Sequence, residues 1–149
     1  MAWFVLVFAA AAVGGYATGT SVGDWYQHIA KPAWTPPDWI FGPVWTTLYA
    51  LMAVAAWLVW RGGGFAVAGR ALGLFVLQLA FNTAWSAVFF GLQRPDLAAI
   101  EVVALWLAIL ATIVAFWRHS IFAAALLIPY LLWVSYAAAL NMAIAYLNR

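Results

Sequence analysis

The sequence predicts an all-α integral membrane protein: a bundle of five transmembrane helices with a structured loop between the first two. Of its 149 residues, 69% are hydrophobic and 7% charged, and the mean hydropathy is +1.01. Soluble domains run near half apolar and about a quarter charged, and no water-soluble fold hides this much apolar surface. The apolar residues also fall into five long runs, separated by short clusters of Gly, Pro or charge. Finally, aromatics make up 18% of the chain, with eleven Trp. That exceeds what interfacial anchoring needs, so some rings are expected to line a site.

The chain reads as one membrane domain, residues 1–149, with helices at about 2–19, 36–60, 69–92, 96–117 and 121–147 and a lid loop at 20–35. The first run, from Ala2 to Thr18, approaches the roughly 20 residues a spanning helix needs. A cleaved leader would carry Lys or Arg before its apolar run, and none is present here, so the run is expected to be retained. Gly15 and Gly19 form a small-xxx-small pair of the kind that lets helix backbones approach in lipid.

The segment between Asp24 and Tyr49 carries Lys31, His28, four of the six prolines and four of the eleven tryptophans. Asp24 suits the cap of a short helix through Ile29, which Pro32 then stops. Thr35-Pro36-Pro37-Asp38 matches a capping box with Pro at the first helical position, which starts the second span. Gly42-Pro43 is expected to bend that span, and Trp45, Leu48, Tyr49 and Met52 share one of its faces. Arg61 and the three glycines after it read as a turn, since no Lys-Ser/Thr follows to make a phosphate loop.

In the third span, Gln78, Asn82, Trp85, Ser86 and Phe89 recur at i, i+4, i+7, i+8 and i+11, and so fall on one face. An unsatisfied amide in hydrocarbon costs on the order of several kcal/mol, so this stripe has to meet other helices or a ligand. Interhelical bonding and a pocket stay open for Gln78, whereas Asn82, flanked by Trp85 and Phe89, reads as a pocket group. Gly69 and Gly73 make a second close-approach pair. Gln93 to Asp96 forms a tight turn into the fourth span, where Glu101 complements the helix dipole. Arg118-His119-Ser120 turns the chain into the fifth span. Pro129 bends that span, and Trp133, Ala137 and Asn141 stack as either a packing seam or a cavity wall. The basic residues divide as Arg61, Arg70 and Arg118 against Lys31, Arg94 and Arg149, a tie that leaves orientation open.

Several chemistries are excluded. Zero Cys removes disulfides, thiolate metal sites and a Cys nucleophile, and the two His fall in different loops and form no metal cluster. A net charge of +2 from six basic and four acidic residues, with pI near 9.2, makes no nucleic-acid-binding patch. No Ser-His-Asp set or carboxylate pair can be assembled, because Asp24 and Asp38 each read as caps. No ionisable group lies at mid-membrane as an ion pump would need. What remains is an aromatic-lined site with a few amide and indole donors, suited to a large flat apolar ligand with polar edges.

Trp25-Tyr26, Lys31-Pro32, Trp34-Thr35-Pro36-Pro37, Trp45 and Leu48-Tyr49 form the first part of a longer pattern. It continues with Gln78-Leu79-Ala80-Phe81-Asn82, Pro129-Tyr130-Leu131, Trp133 and Leu140-Asn141. This pattern resembles the tryptophan-rich sensory protein/translocator protein family, the peripheral-type benzodiazepine receptors, across essentially the whole chain. The resemblance implies a five-helix membrane protein, commonly a homodimer, whose pocket is closed by the first loop. It implies binding of protoporphyrin IX and haem as ligands rather than as required cofactors, of sterols in some members, and of synthetic isoquinoline carboxamides. The implied pocket comprises Trp25, Tyr26, Pro36, Phe41, Trp45, Tyr49, Asn82, Trp85, Ser86, Phe89, Trp133 and Ala137. Some bacterial relatives are reported to degrade protoporphyrin in light, which makes Trp25 and Trp133 the implied candidates for such chemistry. Leu140, Tyr146 and Arg149 satisfy the cholesterol-recognition pattern. Met142-Ala143, however, stand where animal members carry a tyrosine pair, which points to a bacterial-type member in the cell-envelope membrane rather than in the mitochondrial outer membrane.

Overall fold

A computed structural model of the chain describes residues 3–12, 28–35 and 38–148. Among these every regular element is a helix, and residues 29–35 form turns and irregular backbone. Helix α1 spans Trp3–Ala12, α2 Asp38–Trp60, α3 Gly64–Ser86, α4 Pro95–Trp117, α5 Ile121–Leu126 and α6 Ile128–Leu147. Four described stretches are long and apolar enough to cross a membrane: Pro43–Trp60, Ala66–Phe89, Pro95–Trp117 and, counting α5 and α6 together, Ile121–Leu147. With the apolar α1 they are consistent with the expected five-helix bundle. Residues 13–27, which hold the expected Asp24 cap, Gly15 and Gly19, lie outside the described residues.

The helix boundaries have local causes. Pro95 sits in the first turn of α4, where its missing N–H would be unpaired in any case. Ser120 accepts from the Ala123 amide at 3.1 Å and caps α5. Pro129 cannot supply a helical N–H, and the fifth span is accordingly divided at Leu127 rather than merely bent. Pro43 lies inside α2, and Thr47 donates to its carbonyl at 2.8 Å. The hydroxyl of Thr35 donates to the Pro32 carbonyl at 2.8 Å, closing a turn in residues 28–35, while Pro36 and Pro37 of the expected capping box lie outside the described residues.

Helix α3 starts earlier than expected, at Gly64, but leaves helical geometry at Ala68 (φ −116°, ψ 23°), so its regular part begins near Gly69. At its other end it loosens into a π-helical turn, Ala87–Gly91, in which the Leu92 amide reaches back to the Ala87 carbonyl at 2.8 Å.

The core is filled from all the helices. α3 packs most extensively on α4, α4 on both α5 and α6, and α2 on α3 and α5. At the end where α2 gives way to α3, Phe75 stacks on Phe116 at 5.9 Å and takes the edge of Trp3 at 5.8 Å, tying α1, α3 and α4 together. On α4, Val102, Leu105 and Ile109 face inward while Ile100, Leu107 and Val114 face outward. A helix apolar on both sides suits a bilayer and not water. Gly69 and Gly73 bring no helix close among the described residues, for a Cβ at either would meet nothing there within 4 Å.

The α2–α3 connection needs glycine. Gly63 has φ +146° and Gly64 φ +64°, and a side chain at Gly63 would run into Val67. We expect Gly63→Ala to destabilise the protein by about 1–3 kcal/mol. Gly73→Ala, in an open helical position, should be neutral or stabilising by up to about 1 kcal/mol. Thermal unfolding in detergent micelles checks both.

Candidate functional site

A layer of buried polar side chains ties three helices together. The Tyr49 hydroxyl on α2 donates to Asn82 Oδ1 at 2.8 Å, and Asn82 Nδ2 on α3 donates to the Tyr130 hydroxyl on α6 at 2.7 Å. Tyr130 in turn donates to Gln78 Oε1 at 2.7 Å, and Gln78 Nε2 points at the Met52 sulfur at 3.9 Å. Gln78, Asn82 and Tyr130 are each about 1% exposed. Both amides of the predicted stripe therefore do bond between helices. Asn82 keeps one amide hydrogen and one lone pair beyond the two bonds it makes here. A second clamp joins α6 to α3 and α4: Trp85 Nε1 donates to Asn141 Oδ1, and Asn141 Nδ2 to the Pro95 carbonyl, both at 2.8 Å.

Next to this polar layer lies a cluster of rings centred on Trp45. Its ring centroid is 5.6 Å from Tyr49, 6.3 Å from Trp133, and 6.4 Å from both Trp85 and Tyr130. Trp133 and Tyr130 meet Trp45 nearly edge-on, at 88° and 71°. Phe89, on the π-helical turn, stacks on Trp85 at 5.5 Å. Ser86 and Ala137 are buried on the faces of α3 and α6 that carry these rings, while Trp45 and Trp133 are only partly buried and pack against the core. Offset and edge-on rings of this kind leave indole faces that a flat apolar guest can contact.

Residues 28–35 are fastened to α6 over this cluster. Asn148 accepts from the Ala30 amide at 3.0 Å and donates to the Ala30 carbonyl at 2.8 Å. Tyr136 donates to the Trp34 carbonyl at 2.6 Å, and its ring lies 5.6 Å from both Trp34 and Trp133. At the nearby α3–α4 turn, Arg94 and Asp96 form an exposed two-point ion pair at 2.9 and 3.1 Å. The hydrogen bond to Asp96 and its charge hold the Arg94 guanidinium above its ordinary value. Within α4, both carboxylate oxygens of Glu101 are shielded from solvent and have no hydrogen-bond partner among the described residues.

Of the residues singled out from the sequence, Trp45, Tyr49, Asn82, Trp85, Phe89 and Trp133 are thus linked by bonds or ring contacts, with Ser86 and Ala137 buried on the same helices. Trp25, Tyr26 and Pro36 lie outside the described residues, as does the Phe41 side chain. The sterol-pattern pair does not share a face: Leu140 is 7% exposed and Tyr146 65%, and Arg149 lies outside the described residues. Sequence reasoning passed over Tyr130, Tyr136 and Asn148 as site residues. Tyr130 was within reach, because its spacing of three from Trp133 continues the Trp133, Ala137, Asn141 stripe by one turn. The bonds that fasten residues 28–35 to α6 join residues more than one hundred positions apart and leave no periodic signal.

Comparison with known proteins accords with this architecture. The sequence model of the TspO/MBR family matches residues 3–147. The chain is 42% identical over 148 residues to the tryptophan-rich protein TspO of Archaeoglobus fulgidus, covering 99% of this chain and 95% of that one. It is 40% identical to the tryptophan-rich sensory protein of Cereibacter sphaeroides, with coverages of 99% and 94%. It is 43% identical over 119 residues to the human translocator protein, with coverages of 78% and 70%. A family match over nearly the whole length, on a bundle with membrane-length helices, makes this chain a multi-pass membrane protein that belongs to the TspO/MBR family.

Proposed function

We propose that this protein is an intramembrane receptor or carrier for a flat, largely apolar tetrapyrrole of the protoporphyrin or haem type, held among the rings around Trp45 beneath residues 28–35. The observation that carries this reading is the ring cluster itself: four aromatic side chains from three helices within 6.4 Å of one partly buried indole. Packing alone is served well by aliphatic side chains. Gathering indoles and phenols at one level supplies planar contact area with polar edges, which matches a macrocycle that is apolar across its face and charged at its rim. The fastening of residues 28–35 to α6 supports a lid whose release would govern entry and exit.

Titrating the purified protein with protoporphyrin IX and following quenching of Trp fluorescence tests the reading. Trp45→Ala is expected to weaken binding about tenfold, the equivalent of ~1.4 kcal/mol of lost ring contact. An unchanged affinity in a variant of intact helical content would remove the proposed site.

Tyr130→Phe keeps the ring but strands Gln78 Oε1 and Asn82 Nδ2. We expect it to cost about 1–2 kcal/mol in unfolding free energy while leaving protoporphyrin affinity within about threefold.

Asn148→Ala removes both bonds to Ala30. Stopped-flow measurement should show protoporphyrin dissociating about tenfold faster, with association little changed, if residues 28–35 gate exit.

A further inference from the structure

The end of the molecule opposite residues 28–35 carries a feature that the ring cluster does not use. Where α3 begins and α4 ends, the two antiparallel helices leave an outward-facing groove of about 470 Å³. It is lined by Arg70, Arg118 and His119 together with apolar side chains, among them Leu110, Ala111 and Val114. Both arginines are exposed, and neither has a carboxylate partner among the described residues. The contrast with the other end is sharp. Arg94 is paired with Asp96 there, and the described acidic residues Asp38, Asp96 and Glu101 all belong to that end. Arg61, at the same end as the groove, is taken up by the Trp57 ring, its guanidinium carbon 4.9 Å from the centroid.

Arginines at helix ends commonly reach for the interface singly, and such placement alone identifies no ligand. Here two of them converge on one groove, and the groove continues from their level into the bilayer. Its lining on α4 runs from Arg118 back to Leu107. At 1.5 Å per residue this is about 16 Å, the depth of one leaflet of a hydrocarbon core about 30 Å thick. Paired cationic heads over a leaflet-deep apolar trough complement one amphiphile: a phosphate-bearing lipid with an acyl chain beneath it.

We infer that the α3–α4 groove is a binding site for an anionic phospholipid of the surrounding leaflet, its phosphate between Arg70 and Arg118 and one acyl chain along Leu110, Ala111 and Val114. The site is separate from the ring cluster, and the inference does not depend on the ligand proposed there.

Native mass spectrometry of the full chain in detergent, titrated with dioleoylphosphatidylglycerol or the zwitterionic dioleoylphosphatidylcholine, tests it. The wild type should retain the anionic lipid at least about tenfold more tightly than the zwitterionic one. Arg70→Gln with Arg118→Gln should weaken retention of the anionic lipid about 25-fold, at about fivefold per arginine, and leave the zwitterionic lipid unchanged. Ala111→Trp, which fills the trough, should weaken both. Glycerol 3-phosphate, the headgroup without chains, should fail to compete. Equal retention of the two lipids, insensitivity to the double substitution, or full competition by glycerol 3-phosphate would overturn the inference. So would a change of subunit number in Ala111→Trp with lipid retention intact, which would make the groove an interface between copies.

Discussion

Inside hydrocarbon a side-chain amide has no water to turn to, and the rest of this structure follows from how three amides are satisfied. Gln78, Asn82 and Asn141 are each about 1% exposed, and their partners come from other helices. Tyr130 is central because a phenol can accept and donate at once. It takes a hydrogen from Asn82 and gives its own to Gln78, both at 2.7 Å. A lysine could only donate and a carboxylate only accept. Since α2, α3 and α6 each contribute, rotating any one of them by a single residue, about 100°, would carry its polar group away from its partners and towards lipid. The network thus fixes the rotational setting of three helices, something apolar packing in lipid does weakly because the lipid tails are as apolar as the side chains.

The ring cluster is a geometric consequence of that setting. Trp45 lies four residues before Tyr49, Trp85 three after Asn82, and Trp133 three after Tyr130. Each indole is therefore one helical turn, about 5 Å, from its helix's polar anchor. The displacement is towards the same end each time, because α2 runs antiparallel to α3 in this respect while α6 ends at Asn148 beside residues 28–35. Three unrelated sequence spacings bring three indoles to one level, between the polar layer and residues 28–35. Pro129 and the break at Leu127 separate Ile128–Leu147, which carries Tyr130 and Trp133, from α5.

How far the sequence revealed this depends on the kind of information involved. Composition and run length marked the membrane spans, and the spacing from Gln78 to Phe89 identified the inward face of α3, all five of whose members are buried. Periodicity assigns a face but not a neighbour, so it left Gln78 open and could not show that Tyr130 stands between the two amides. Local proline rules located the interruption in the fifth span but understated it. The π-helical turn at Ala87–Gly91 has no such rule, because it depends on where α4 needs the chain to arrive. The sterol pattern is a linear one and carries no face. Leu140 and Tyr146 are six residues apart, about 240° around a helix, so the spacing that satisfies the sterol pattern puts one in the core and the other on the outside.

The two ends of the bundle are chemically unlike, and α3 connects them. Its regular stretch is bounded by the non-helical Ala68 on one side and the π-helical turn on the other. Between these limits it carries Arg70 on its outer face and Gln78, Asn82 and Trp85 on its inner face. From Arg70 to Trp85 the helix rises about 22 Å without interruption. Uninterrupted α-helix is stiff, whereas departures from α geometry are where a helix bends. The two departures, Ala68 and Ala87–Gly91, lie on either side of the stretch that carries the polar layer. Arg70, both amides and Trp85 thus share one unbroken stretch of α-helix between the two unlike ends of the bundle.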